Sequence, residues 1–167
     1  TNLGTEPVPV AGVPVVEYSP FDALKQLCNA DWVPQTMMSE AMPLEGGLMA
    51  LLQYAFMRKD TKVNFLAASL PASSFESDRK RFLGTNEYGT WQRPGALLNG
   101  ALSNCEARRG DNIGALMVPL GTIAAGKTTR VITMLGQAER GDVAGLVAKY
   151  RDEAEVDAAF ADLGGFW

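Results

Sequence analysis

The stretch Gly121-Thr122-Ile123-Ala124-Ala125-Gly126-Lys127-Thr128 has the G-x-x-x-x-G-K-[ST] spacing of a phosphate-binding loop. In such a loop, successive backbone N–H groups and the lysine hold phosphate oxygens while the hydroxyl meets a magnesium ion. The chemistry requires a strand before the loop and a helix after it, whose N-terminus adds its dipole to the anion site. The apolar residues before Gly121 suit the strand. The segment after Thr128, Thr129-Arg130-Val131-Ile132-Thr133-Met134, is β-branched and reads as another strand. No later apolar strand ends in a metal-binding aspartate. The competing reading is a hairpin turn, in which Gly126 supplies an unusual backbone angle and Lys127 is solvated. A P-loop nucleotide binder through Gly121–Thr128 is therefore the remoter alternative.

Other catalytic chemistries are bounded by composition. The chain has no histidine, which removes imidazole general bases, Ser-His-Asp and Cys-His nucleophile systems, and His-ligated metals. Two cysteines, Cys28 and Cys105, are too few for a zinc cage or a disulfide framework, so we expect no metal and no resident cofactor. Carboxylates remain. Asp22, Asp31, Glu40 and Glu45 fall in one region and Glu76, Asp78 and Glu87 in another, but none has a local context that marks it as an acid or base. Aromatic residues in loop-like stretches are more distinctive. Trp32 lies beside Asp31 and Gln35, and Tyr88 and Trp91 lie beside Arg93. Aromatic faces with polar neighbours suit sugar rings; the plainer reading is that they cap the core beneath long loops. Asn104 and Asp111-Asn112 read as turn residues.

The elements that must position these residues are mainly strands. Val8, Val10, Val13, Val15 and Val16 are interleaved with prolines, which points to an edge strand or a strand broken by a bulge. Ser19-Pro20-Phe21-Asp22 opens a short helix over Pro20–Cys28, succeeded by a loop displaying Asp31 and Trp32. Leu48 to Met57 is strand or helix by pattern. Val63, Phe65 and Ala67 alternate as a strand, with Arg58-Lys59-Asp60 as the turn between the two runs. Ser73-Ser74-Phe75-Glu76 is a capping box for a short helix that Gly84 ends. Thr85 to Gly100 is a long Gly-, Asn- and Pro-rich loop, and loops of this kind often carry function. Ile113–Leu120 and Thr129–Leu135 form a second hairpin. After Gly136 the period becomes helical: Val143, Leu146, Val147 and Tyr150, then Val156, Ala159, Phe160 and Leu163. Asp142 caps the first of these helices and Gly164-Gly165 ends the second.

Charge is divided in the same way. Residues 1–140 carry 13 basic and 13 acidic side chains, whereas 141–167 carry two basic and six acidic ones. Arg79-Lys80-Arg81 and Arg108-Arg109 are too short and too close to acids for a nucleic-acid face. There is no apolar run of membrane-spanning length and no signal-peptide pattern, so the expected location is cytoplasmic. The chain opens on Thr1 and closes on Phe166-Trp167, which suggests a segment excised from something longer.

A series of stretches resembles the N-terminal β-sandwich region of glycoside hydrolase family 94, the inverting β-glucoside phosphorylases. It runs through Thr1-Asn2-Leu3-Gly4-Thr5-Glu6-Pro7, Val16-Glu17-Tyr18 to Asn29-Ala30-Asp31-Trp32, and Phe75-Glu76-Ser77-Asp78-Arg79 to Phe82-Leu83-Gly84. Arg93-Pro94, Leu102-Ser103-Asn104, Gly110-Asp111-Asn112-Ile113-Gly114-Ala115-Leu116 and Met134-Leu135-Gly136 continue it. The resemblance implies a mainly β fold: an antiparallel β-sandwich, part of a super-sandwich, with short helices. It implies a sandwich domain over 1–140 and an acidic helical linker over 141–167 that leads to an (α/α)6 catalytic barrel. The place of Ala125-Gly126-Lys127 is a turn in that family, commonly of Pro-Gly-Glu character.

The family's reaction is reversible phosphorolysis, in which a carboxylic acid protonates the glycosidic oxygen while inorganic phosphate attacks from the opposite face. Both the acid and the phosphate site belong to the barrel. The resemblance therefore implies no catalytic residue in this segment, inorganic phosphate as co-substrate of the parent enzyme, a β-linked oligosaccharide as ligand, and a homodimer. Asp31, Trp32, Gln35, Tyr88, Trp91 and Arg93 are then candidate contacts to sugar or to a partner subunit. A stand-alone carbohydrate-binding module is the alternative that the loop aromatics suggest.

Overall fold

The computed structural model describes residues 1–18, 37–55, 61–85 and 88–166. Two four-stranded antiparallel sheets face each other. Sheet I contains β1 (Val8–Gly12), β2 (Val15–Glu17), β6 (Ser74–Asp78) and β7 (Asn112–Ile123). Sheet II has the order β3 (Met37–Pro43), β4 (Met49–Ala55), β5 (Lys62–Ala68) and β8 (Thr133–Glu139). The helices are α1 (Arg79–Leu83), α2 (Gly95–Leu98), α3 (Val143–Tyr150) and α4 (Glu153–Phe166).

Three apolar layers hold these parts together. Leu51, Leu66, Phe75, Leu116 and Val118 pack between the sheets. Phe82, Leu83, Ala96, Leu102, Ile113 and Ala115 pack α1, α2 and their loops onto the outer face of sheet I. Leu52, Val63, Phe65, Val143 and Val147 pack α3 onto the outer face of sheet II. Because alternate residues of a strand point to opposite faces, strands covered on both sides read as continuous apolar runs. This resolves the Leu48–Met57 ambiguity in favour of a strand, β4, whose residues Ala50 to Gln53 are all buried. β4 and β5 pair as a hairpin, with Leu52 opposite Phe65. The Arg58–Asp60 turn, like the Pro20–Cys28 helix, lies outside the described residues.

β1 and β2 run one after the other along β7, from Val8 opposite Ile123 to Glu17 opposite Ile113. The register shifts between Val10 and Ala11, as the prolines and valines together require. The second expected hairpin does not form. β7 lies in sheet I and pairs with β1, β2 and β6, whereas β8 lies in sheet II and pairs with β5 from Lys62–Glu139 to Ala68–Thr133. The connection crosses from one sheet to the other. A second correction concerns Ser73–Glu76. Ser74–Asp78 is strand β6, and the helix begins only at Arg79, where the Asp78 carboxylate accepts from the Arg81 N–H at 3.0 Å. Gly84 does end that helix, with φ 66° and its N–H donated to Lys80. At the C-terminal side, α3 starts after Asp142 without a side-chain cap, and α4 continues through Gly164 and Gly165 to Phe166 rather than stopping at them.

Candidate functional site

The phosphate-loop spacing is occupied by a turn. β7 ends at Ile123, the Lys127 N–H donates to the Ala124 carbonyl at 3.0 Å, and Gly126 takes φ 70°. Residues 127–132 are not helical. The N-terminal residues bond to this turn and occupy one of its N–H donors. Gly126 N–H donates to the Asn2 carbonyl and Asn2 N–H to the Lys127 carbonyl, each at 2.9 Å. The Asn2 side chain donates to the carbonyls of Ile123 and Glu6 and accepts from the Gly4 N–H. With no helix after the turn and the Gly126 and Lys127 N–H groups already bonded, this segment lacks the helix N-terminus that the motif requires, and the nucleotide-binding reading falls.

The long loop after α1 is the better candidate. α1 buries Phe82 and Leu83, and the Trp91 ring rests on Phe82 with centroids 5.7 Å apart and planes tilted by 43°. The Arg79 guanidinium carbon lies 5.8 Å from the Trp91 centroid, while Arg79 Nε donates to Glu17 Oε1 at 2.6 Å. Trp91 is thus braced by an aromatic ring and a cation that β2 anchors. It still leaves 41% of its surface open. Tyr88 is fully exposed on a backbone with φ 61°, and Arg93 is also exposed. Gly89 folds the loop tightly: a Cβ there would lie 2.9 Å from the Gly84 carbonyl oxygen. Tyr88, Trp91 and Arg93 therefore share one exposed loop on the α1–α2 side of sheet I. Among the described residues, no hydrogen bond or ion pair joins the three. Asp31, Trp32 and Gln35 lie outside the described residues.

Among the acids, Glu76 is the one whose environment the sequence concealed. It is buried, 1% exposed. Its Oε1 accepts from the N–H groups of Ser77 and Asp78, both at 3.0 Å, and its Oε2 accepts from Ser103 Oγ at 2.5 Å. Glu40 sits on the opposite layer, where Arg140 donates to it and the Tyr54 hydroxyl lies 3.5 Å from Oε2. The hydrogen bond with Glu40 raises the Arg140 pKa, and burial, reinforced by the Glu40 charge, raises that of Tyr54. Asn112 is not a turn residue: it is buried, accepts from Ser39 Oγ and donates to the carbonyls of Gly110 and Met37, tying the two sheets together. Among the described residues no three potential metal ligands converge, and no helix is long and apolar enough to cross a membrane.

An open apolar groove of about 400 Å³ lies between β8 and the C-terminal helices, lined by Phe65, Met134, Leu146, Tyr150, Phe160 and Leu163. The expected helical spacing of Val143 to Leu163 is thus realised, but only α3 uses its stripe in the core. α4 buries no residue.

The architecture is that of an antiparallel β-sandwich domain. The glycosyl hydrolase 94 supersandwich domain matches residues 1–153, and the chain belongs to that family. It is also similar to an N,N'-diacetylchitobiose phosphorylase of Vibrio furnissii, at 34% identity over 103 residues. That match covers 62% of this chain and 12% of the relative, so the chain spans only a small part of the relative's length.

Proposed function

We propose that this chain is the non-catalytic supersandwich part of a carbohydrate phosphorylase acting on β-glucosides with inorganic phosphate. The observation that carries the reading is the family match over 1–153. The described acids agree with it, since the carboxylates of Glu40, Glu76 and Glu106 are engaged by neighbouring donors. In this reading the general acid and the phosphate site belong to a separate catalytic barrel in a longer cytoplasmic enzyme. The sandwich scaffolds a homodimer, and α4 belongs to the helical linker toward the barrel. The loop carrying Tyr88, Trp91 and Arg93, together with Asp31, Trp32 and Gln35, contributes contacts to sugar or to the partner subunit.

The test is direct. Purified chain 1–167 supplied with α-glucosyl 1-phosphate and a β-glucoside acceptor should release no phosphate, and measurable turnover in pure material would overturn the reading. In the longer enzyme, Trp91→Ala should raise KM for the oligosaccharide by about tenfold, equivalent to about 1.4 kcal/mol of binding, while leaving kcat within about twofold.

A second reading, a carbohydrate-binding module that acts alone, draws on the braced and partly open Trp91 ring. It requires saturable binding of β-linked oligosaccharides by this chain, weakened by Trp91→Ala. Flat calorimetric titrations across a panel of such sugars remove it.

A further inference from the structure

The segment from Leu102 to Ala107 is not a strand, yet it bonds along one strand in each sheet. On sheet I it runs beside β6: Asn104 N–H donates to the Phe75 carbonyl at 2.8 Å and Asn104 Oδ1 accepts from the Phe75 N–H at 2.9 Å. The Leu102 N–H reaches Ser74 Oγ at 3.0 Å. Ser77 donates from its N–H and its hydroxyl to the Cys105 carbonyl, and its Oγ accepts from the Ala107 N–H at 2.7 Å. On sheet II the same segment meets the edge strand β3. Ser39 N–H donates to the Ala107 carbonyl and Ala41 N–H to Glu106 Oε1, both at 2.8 Å. Unpaired strand edges are templates for pairing with other chains. Here one irregular strap satisfies both.

Asn104 holds φ 56°, so the strap cannot continue as a ladder, and side chains supply the missing bonds. At its root lies Glu76. The register of β6 against β7 shifts between Glu76 and Asp78, which leaves the N–H groups of Ser77 and Asp78 turned toward the Glu76 carboxylate. The other carboxylate oxygen takes the Ser103 hydroxyl. One buried carboxylate thus pins both the bulge and the strap. A hydrogen bond to a charged acceptor is stronger than a neutral one, and a buried carboxylate is costly unless its oxygens are satisfied.

We propose that Glu76 is a latch: its carboxylate, through Ser103, holds the 102–107 strap closed over β6 and β3, and release of the latch uncovers both edges together. The coupling is the distinctive part. A change on the outer side of sheet I should loosen amides on the edge of sheet II, which Glu76 never touches.

The test is amide hydrogen exchange on the 1–167 chain. Ser103 is exposed, so Ser103→Ala removes the latch bond without emptying the core. It should speed exchange at Phe75, Ser39 and Ala41 by about tenfold, the scale of one lost charge-assisted hydrogen bond in a local opening, while the β4–β5–β8 ladder keeps its rates. Glu76→Ala should act on the same amides more strongly. If Glu76→Ala does not fold, Ser103→Ala decides the matter alone. Unchanged rates at Ser39 and Ala41 overturn the proposal, and so does an equal acceleration in β5 and β8, which would mean general destabilisation. Sedimentation reads the consequence: with rising concentration the opened variants should gain mass beyond that of the unaltered chain. An average mass equal to that of the unaltered chain at every concentration, while exchange at both edges rises, would overturn the edge-guarding role.

Discussion

Tyr18 and Gly114 settle one packing problem between the sheets. The Tyr18 hydroxyl donates across the interior to the Leu51 carbonyl at 3.2 Å. A Cβ on Gly114 would lie 2.6 Å from that hydroxyl oxygen and 3.2 Å from a Leu66 methyl group, so only glycine lets the two layers close at this point. Burial pushes the Tyr18 phenol well above its ordinary value. The folded chain therefore keeps a proton that the unfolded chain gives up from about pH 10. Above that pH the native state binds more protons than the unfolded one, so stability is complete below about pH 10 and falls as pH rises. Urea unfolding should show this decline, and Tyr18→Phe should remove part of it while costing about 1 kcal/mol near neutrality. Gly114→Ala should cost about 1–3 kcal/mol at neutral pH, as overpacking does. If the alkaline decline is the same in Tyr18→Phe, the phenol is not its source. The role of neither residue could be identified from sequence: Gly114 falls in a run that reads simply as strand, and its partner in space, Tyr18, lies nearly a hundred residues away, just past the end of β2.

At the scale of elements, sequence signals are reliable where local chemistry decides and unreliable where pairing decides. The β4–β5 hairpin, the broken N-terminal strand and the Gly84 stop result from alternation, proline and glycine. β3 has no such signal. Met37-Met38-Ser39-Glu40-Ala41-Met42 carries little strand preference, and it is a strand because every residue from Met37 to Pro43 finds a partner on β4. The Ser73–Glu76 capping box misleads for the same reason: pairing with β7 holds Ser74–Asp78 extended, and the Glu76 carboxylate takes a hydrogen bond from Ser103, far along the chain. The true cap, Asp78, closes that strand and opens the helix. Asp78→Ala should cost about 1 kcal/mol, the usual worth of an N-cap. Because α1 carries Phe82 beneath Trp91, the same change should shift tryptophan emission toward the red before global unfolding. A stability loss with unchanged emission would uncouple the cap from the Trp91 loop.

At the scale of the molecule, the strand-rich first part and helical last part are legible from periodicity and the sandwich from the family resemblance. The switch falls later than Gly136, because pairing with β5 keeps β8 extended through Glu139, and which helix belongs to the core is not legible. The Trp91 loop is legible as a candidate from its residue types; its bracing by Arg79 and Phe82 needs the fold. The two C-terminal helices carry the same apolar spacing, yet α3 buries Val143 and Val147 against Leu52, Val63 and Phe65, while α4 buries nothing. The ion pair of Arg130 with Glu153, at 2.7 Å with both side chains more than half exposed, adds little to hold α4 in place. Truncation separates the two roles. A chain ending at residue 152 keeps the cover of sheet II and should unfold cooperatively with a midpoint within a few degrees of the full chain, about the effect of losing only surface contacts. A chain ending at residue 140 exposes the apolar face of β4 and β5. Uncovering two fully buried valines and the leucine and phenylalanine beneath them removes on the order of 5 kcal/mol, comparable to the whole stability of a domain this size. It should therefore lose its cooperative transition and aggregate. If the shorter chain folds as well as the longer one, α3 is a passenger on sheet II, and the sandwich ends where the helical period begins.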